Sequence, residues 1–164
     1  MSGRPVIDSL EFAREGRHIA GEVAVANLGR LHDQLADTAG TLQFDLAGGI
    51  DPRGRPQLRL AVRGSLQLRC QRCLGALPEP LAVVSDLLLG DEEQAAADAE
   101  EGEPDWIVAS RTLDVWSLVE DEVLLALPLA PRHDEGVCEA AVAGARQEET
   151  SPFAALASLR RPRN

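Results

Sequence analysis

Period-two alternation dominates this 164-residue sequence. With one helical stretch late in the chain, it predicts an α+β fold on a largely antiparallel β-sheet. Three observations carry that expectation. Apolar residues alternate with polar ones over 18–26, 41–46 and 57–70, and an apolar run fills 81–89. One stretch, 115–127, repeats its apolar residues at helical spacing. A block at 91–105 is acidic and aperiodic. The expected fold therefore has one long C-terminal helix, a short N-terminal helix and a mobile acidic loop. Residues 1–138 are read as a single α+β domain, and 139–164 as a linker followed by a docking helix and basic tail.

In chain order, residues 1–16 mix short apolar pairs with polar residues and read as a strand or an extended arm. Ile19, Gly21, Val23 and Val25 alternate as in a strand. Asn27 is a candidate cap for a short helix through Ala36 with Leu28, Leu31 and Leu35 on one face. His32 lies on that helix as a surface or half-buried residue. Leu42, Phe44 and Leu46 mark the next strand, and Gly48-Gly49 and Asp51-Pro52-Arg53-Gly54 are turn chemistry. Residues 57–70 form the second arm of a hairpin, with Gly64 marking a bend or bulge. Asp114 caps a helix that Pro128 stops. Its apolar stripe is Val115, Leu118, Val119, Val123 and Ala126, with Ser117, Glu120 and Asp121 opposite. Leu124, Leu125 and Leu127 widen that surface, so the C-terminal end is expected to be buried. Glu122 falls in the stripe and calls for a partner, for which an arginine of the basic strand is the candidate.

Net charge is −11, yet eight of the acids sit between Asp91 and Asp105, and without them the charge is −3. Every fixed cation is an arginine, six of them between Arg53 and Arg72. Arg59, Arg63 and Arg69 share one strand face, with Arg72 just beyond. Guanidinium groups suit phosphate, and the acidic block is placed to screen that row; a solvated outer face and a solubilising loop look the same in sequence. At the end of the chain, Ser151 and Pro152 open a short amphipathic helix. Phe153 and Leu156 form its apolar side, and Arg160 and Arg161 trail it. These eight residues, the four arginines above with Phe153, Leu156, Arg160 and Arg161, are the candidates for RNA or partner contact.

Cys70-x-x-Cys73 ends the longest alternating run, and His133 and Cys138 follow some sixty residues later. Together they make a Cys3His set that zinc accepts as a closed structural site; reduced, unligated thiols are the alternative. Gly75, Pro78 and Pro80 forbid the helix that a redox-active CxxC uses to lower its first thiol's pKa. No nucleophile elbow, phosphate-cradling loop or His-Glu-x-x-His occurs, so no catalytic residue is assigned. Aromatic residues make up 3%, with no tyrosine, which removes a base-stacking platform. No apolar run spans a bilayer and no signal-peptide region opens the chain, so a cytoplasmic location is expected.

Four blocks occur in order: Leu-Arg-Cys-Gln-Arg-Cys-Leu at 68–74, Val-Glu-Asp-Glu-Val-Leu-Leu-Ala-Leu-Pro at 119–128, Pro-x-His…Cys at 131–138, and Pro-Phe-Ala-Ala-Leu-Ala-Ser-Leu-Arg-Arg at 152–161. The ordered set resembles the bacterial YceD family, the large ribosomal RNA subunit accumulation proteins. The resemblance implies a non-enzymatic protein supporting synthesis, processing or stability of 23S ribosomal RNA. Its partners would be 23S rRNA or pre-ribosomal proteins, with no membrane and no small-molecule substrate. The alternative is a protein-interaction adaptor with a structural zinc knuckle and no direct RNA contact.

Overall fold

The computed structural model describes residues 3–97 and 104–138. Its elements are β1 (Val6–Ile7), α1 (Ser9–Arg14), β2 (His18–Ala24), β3 (Thr41–Ile50), β4 (Pro56–Arg69), β5 (Ala76–Gly90), α2 (Glu92–Ala97), β6 (Asp105–Val108), β7 (Leu113–Asp114) and α3 (Val115–Ala126). Five strands form one sheet in the order β2-β3-β4-β5-β6, and β1 pairs with β7 apart from it. Every pairing is antiparallel except β5 with β6. The fold is therefore α+β with a mostly antiparallel sheet, as the alternation predicts.

One face of the sheet is covered and the other is open. Leu42, Phe44 and Leu46 on β3 and Leu58, Leu60, Val62, Leu66 and Leu68 on β4 are buried on the covered face. They pack with Phe12 and Ala13 of α1 and with Val115, Leu118, Val119 and Val123 of α3. Burying such side chains stabilises by roughly 1.5–3 kcal/mol each before chain entropy is set against it.

Helix α1 lies where a strand or arm is expected. Asp8 caps it, its side chain accepting from the Glu11 N–H at 3.1 Å. The Asp-x-x-Glu spacing was present in sequence, but six residues are too few for a visible helical period. Gly48 and Gly49, expected in a turn, are inside β3. A side chain on Gly48 would collide with the Phe12 carbonyl oxygen and sit 2.8 Å from Ala13 Cα. The glycine therefore serves close approach of α1 to the sheet. Gly64 produces no bulge either: it pairs with Leu81 in unbroken register, and a Cβ there would meet Leu42 Cδ2 at 2.6 Å.

Residues 25–34 form two turns of 3-10 helix, Val25–Asn27 and Gly29–Gln34, where a capped α-helix is expected. No side chain caps either of them. Leu28, Leu31 and Leu35 are nonetheless all buried, since an apolar face at spacings of three and four suits either helix. His32 is exposed. Within the acidic block, Glu92–Ala97 is helical. Asp91 Oδ1 accepts from the Gln94 N–H at 2.8 Å, and Gln94 Oε1 accepts from the Asp91 N–H at 3.1 Å. That reciprocal pair is a capping box hidden among the acids.

Asp114 caps α3 as expected, accepting from Trp116 N–H and Ser117 N–H. Glu120 departs from expectation: it is buried, and its Oε1 accepts from the Arg30 N–H at 3.0 Å. Glu122 is also buried, but among the described residues no arginine bonds it. Leu125 is 76% exposed, against the expected buried helix end. It stands about 200° around the helix from Val123, on the side away from the sheet. No helix among the described residues is long and apolar enough to cross a membrane.

Candidate metal centre

The β4–β5 hairpin closes through a six-residue knuckle rather than a two-residue turn. Cys70 N–H donates to the Gly75 carbonyl and Leu74 N–H to the Cys70 carbonyl, each at 2.9 Å. Leu74 closes the loop with φ 62°. A bulky side chain in that left-handed region is strained. The two prolines that forbid a helix sit inside β5, at positions where no strand among the described residues pairs with its other edge. A second segment is laid across the knuckle: Gln71 N–H donates to the Pro131 carbonyl at 2.8 Å. That contact brings His133 and Cys138 to the cysteine pair from sixty residues away.

Cys70, Cys73, His133 and Cys138 form a cluster that could hold a metal ion, their ligand atoms all lying within 4.8 Å of one another. Cys70 Sγ and Cys138 Sγ are 3.8 Å apart, and Cys73 Sγ is 3.5 Å from His133 Nδ1. A tetrahedral zinc shell with Zn–S near 2.3 Å and Zn–N near 2.05 Å has edges of about 3.8 Å between sulfurs and about 3.6 Å from sulfur to nitrogen. The donor set and both close pairs fit such an ion. His133 Nε2 lies 2.9 Å from the Ala76 carbonyl. A carbonyl can only accept, so Nε2 carries the proton and Nδ1 keeps its lone pair toward the sulfurs.

The electrostatics divide the three thiols: two are lowered and one is raised. The Cys73 backbone N–H, with those of His133 and Arg72, overcomes burial and lowers the Cys70 thiol to about 5. The Arg72 guanidinium lowers Cys138. Cys73 is raised: the Gly75 N–H pulls it down, but the Cys138 sulfur, burial and the Cys70 sulfur outweigh it. His133 is raised, first by the Cys138 sulfur and then by the Ala76 carbonyl. Backbone N–H groups and the Arg72 guanidinium favour the thiolate at Cys70 and Cys138, and a divalent cation would favour it at Cys73 as well. Cys70 is fully buried, so its low pKa does not make it an accessible nucleophile.

The candidate arginines do not form one free row. Arg59 Nη1 pairs with Asp86, its cross-strand neighbour, at 3.2 Å. Arg69 Nη2 donates to the Leu35 carbonyl at 3.1 Å. Arg72 is raised by the Cys138 sulfur and so belongs to the cluster's electrostatics. Arg63 is exposed and has no hydrogen bond or ion pair among the described residues. Acids share the open face with them, Asp45 bonded to His18 at 2.8 Å and Glu22 to Gln43 at 3.2 Å. The acidic block leaves the sheet at Gly90, two residues past the Gln57–Leu88 pair, at the opposite end of β4 from Arg69. Some 40 Å of strand separates those ends. Phe153, Leu156, Arg160 and Arg161 lie outside the described residues, as does the expected linker at 139–150.

Spacing alone pointed to the four sulfur and imidazole donors. It was silent on the Ala76 and Pro131 carbonyls, because a backbone acceptor has no residue type. Arg72, placed between the two cysteines, was the one visible hint of a charge partner for the cluster.

A family model described as large ribosomal RNA subunit accumulation protein YceD matches residues 58–160, a span that holds all four cluster residues. The large ribosomal RNA subunit accumulation protein YceD of Haemophilus influenzae is 29% identical over 163 residues, 94% of each chain. No solved structure matches the chain. On the extent of the family match, this chain belongs to the YceD family.

Proposed function

We propose that this protein is a non-enzymatic, cytoplasmic accessory factor of ribosome biogenesis, supporting synthesis, processing or stability of 23S rRNA. Membership of a family described by large ribosomal RNA subunit accumulation is the observation that carries the reading. Zinc is the ion that suits the Cys3His cluster. Cys70, Cys73, His133 and Cys138 would hold it with all four positions filled by protein. A closed shell leaves no site for substrate or activated water, so the ion's part is structural. It would tie the 131–138 segment to the hairpin tip.

A second reading has its own support. Two of the strand arginines bond within the chain. Meanwhile Leu74, Leu129 and Val137 stand exposed around the knuckle. A protein-interaction adaptor with no direct RNA contact would look like this. Pull-down with and without nuclease separates the two. An RNA-dependent factor loses its pre-ribosomal partners on digestion; an adaptor keeps them. Association with no ribosomal component at all in either arm sinks the ribosomal reading. Metal analysis of protein purified without chelator should give about one zinc per chain, because a structural ion is retained through its coupling to folding.

A further inference from the structure

The sheet has two kinds of edge. On the β5 side, the half of the strand not covered by β6 carries Pro78 and Pro80, and β6 itself has only four residues. Prolines and short strands are the usual protection of an edge. On the other side, β2 runs seven residues in unbroken register with β3, without proline or bulge. The direction of its free backbone groups follows from its ends. Gly48 N–H donates to the Arg17 carbonyl at 2.8 Å, and Val25 N–H to the Gly40 carbonyl at 3.1 Å. In an antiparallel ladder alternate residues bond to the same side. Odd-numbered residues therefore bond β3, and His18, Ala20, Glu22 and Ala24 turn their N–H and C=O groups outward. Among the described residues, no strand pairs with that edge.

We propose that this edge pairs antiparallel with the β2 edge of a second copy of the chain, with Ala20 on the two-fold axis. The residue pattern selects a copy of itself as the occupant. His18 and Glu22 stand two residues either side of Ala20. In this register each histidine ring, held by Asp45 of its own chain, faces the other copy's glutamate, held by Gln43, twice over, so the polar positions of the strand match those of its own reverse. On the covered face, Ile19 stands opposite the other copy's Gly21. The Phe44 ring lies over that glycine, where an added Cβ would be 3.1 Å from Cζ. Half-buried Ile19 thereby gains an aromatic surface across the axis. A uniformly acidic or basic strand would set like charges against each other at both contacts.

Sedimentation equilibrium of the full chain under reducing conditions tests this. A single strand pair is a small interface, so dimer should appear at about 10–100 µM rather than nanomolar concentration. Ala20→Pro removes an outward N–H and no bond to β3. Ala20→Arg places two guanidinium groups face to face on the axis, while in the monomer its register partner is the acidic Asp45, which also bonds His18. Each variant should weaken association at least about tenfold, the effect of roughly 1.4 kcal/mol. Should the proline variant fold poorly, the arginine variant decides alone, with its melting temperature equal to wild type. A wild-type chain that stays monomeric across the range, or a dimer that Ala20→Arg leaves unweakened, overturns the proposal.

Discussion

At the Pro56 end of the β4–β5 hairpin, oxygen and nitrogen close the structure; at the Arg69 end, sulfur does. The turn at 51–55 is organised by Asp51, which accepts from Arg53 N–H at 2.9 Å, Arg55 N–H at 2.8 Å and Arg55 Nε at 2.7 Å. Arg55 also stacks over Trp106, 5.7 Å from the ring centroid. Nearby, α2 begins on its own capping box. Each of these devices is local in sequence or built on one strand end. The Arg69 end is different. Its second segment arrives from sixty residues away, and Leu74 and Leu129 point into solvent instead of packing it down. Loop closure over such a distance carries an entropic cost that a few hydrogen bonds barely offset. A four-donor metal cluster is the kind of link that can hold it. An end with little apolar burial needs a stronger cross-link than an end that can cap itself.

The largest expected effect is the control that fails both ends together. Leu60→Ala, in the middle of the hairpin and fully buried, should lose about 2–5 kcal/mol in urea unfolding, with an unchanged m-value. Separate transitions for the two ends in that variant would break the comparison at its root. Next is metal removal, by chelator or by Cys70→Ser with Cys73→Ser. Hydrogen exchange should speed up at the Gln71 and Leu74 amides and stay slow at Leu60 and Val62. Loss of protection throughout β4 would mean that the body needs the knuckle as well.

Acid should separate the ends by pH. Cys70 is held down to about 5 from an ordinary value of 9.0. Its contribution is full above the ordinary value and lost as pH falls through about 5, and protons compete with a metal in the same direction. Asp51 is held below its ordinary 3.8 by the Arg55 backbone N–H and guanidinium and the Arg53 N–H, against burial, the largest single influence, which alone would raise it. The support it provides is present above 3.8 and lost only below it. Near-knuckle probes should therefore respond at higher pH than Trp106 fluorescence. The reverse order would assign the weak end wrongly. Smaller effects complete the series. Asp91→Ala should cost about 1 kcal/mol of helix stability, read as faster exchange in α2 alone. Arg59→Gln should change global stability by less than about 0.5 kcal/mol, because Arg59–Asp86 is a surface pair.

The parts of the fold that were legible are those with many residues voting for one period. Strand β4 shows five apolar residues of one parity, with Cys70 next in line beyond its end, and α3 shows an aspartate cap, a stripe and a proline stop. Element α1 was not legible: Asp8 ahead of it supplies one cap and its six residues only two buried apolar side chains, too little to outvote the extended reading. In the site, Cys70 and Cys73 announce themselves by spacing, and His133 and Cys138 follow as a matching half. The arginines show the limit of parity. It placed Arg59, Arg63 and Arg69 on one face correctly, yet it could not say that Asp86 and the Leu35 carbonyl would engage two of them.

By itself, then, the sequence determined the periods of β4 and α3, the face that β4 buries and the four donor positions of the cluster, because those are properties of neighbours along one chain. Only the tertiary structure decided what stands opposite each face. It set Asp86 across from Arg59, brought the Arg30 N–H to Glu120, and turned Leu125 to solvent. It also laid Pro131 on Gln71, which carries His133 and Cys138 to the hairpin tip. The physical reason is that strand register and helix placement are chosen by the packing of the whole core, a sum over contacts distant in sequence.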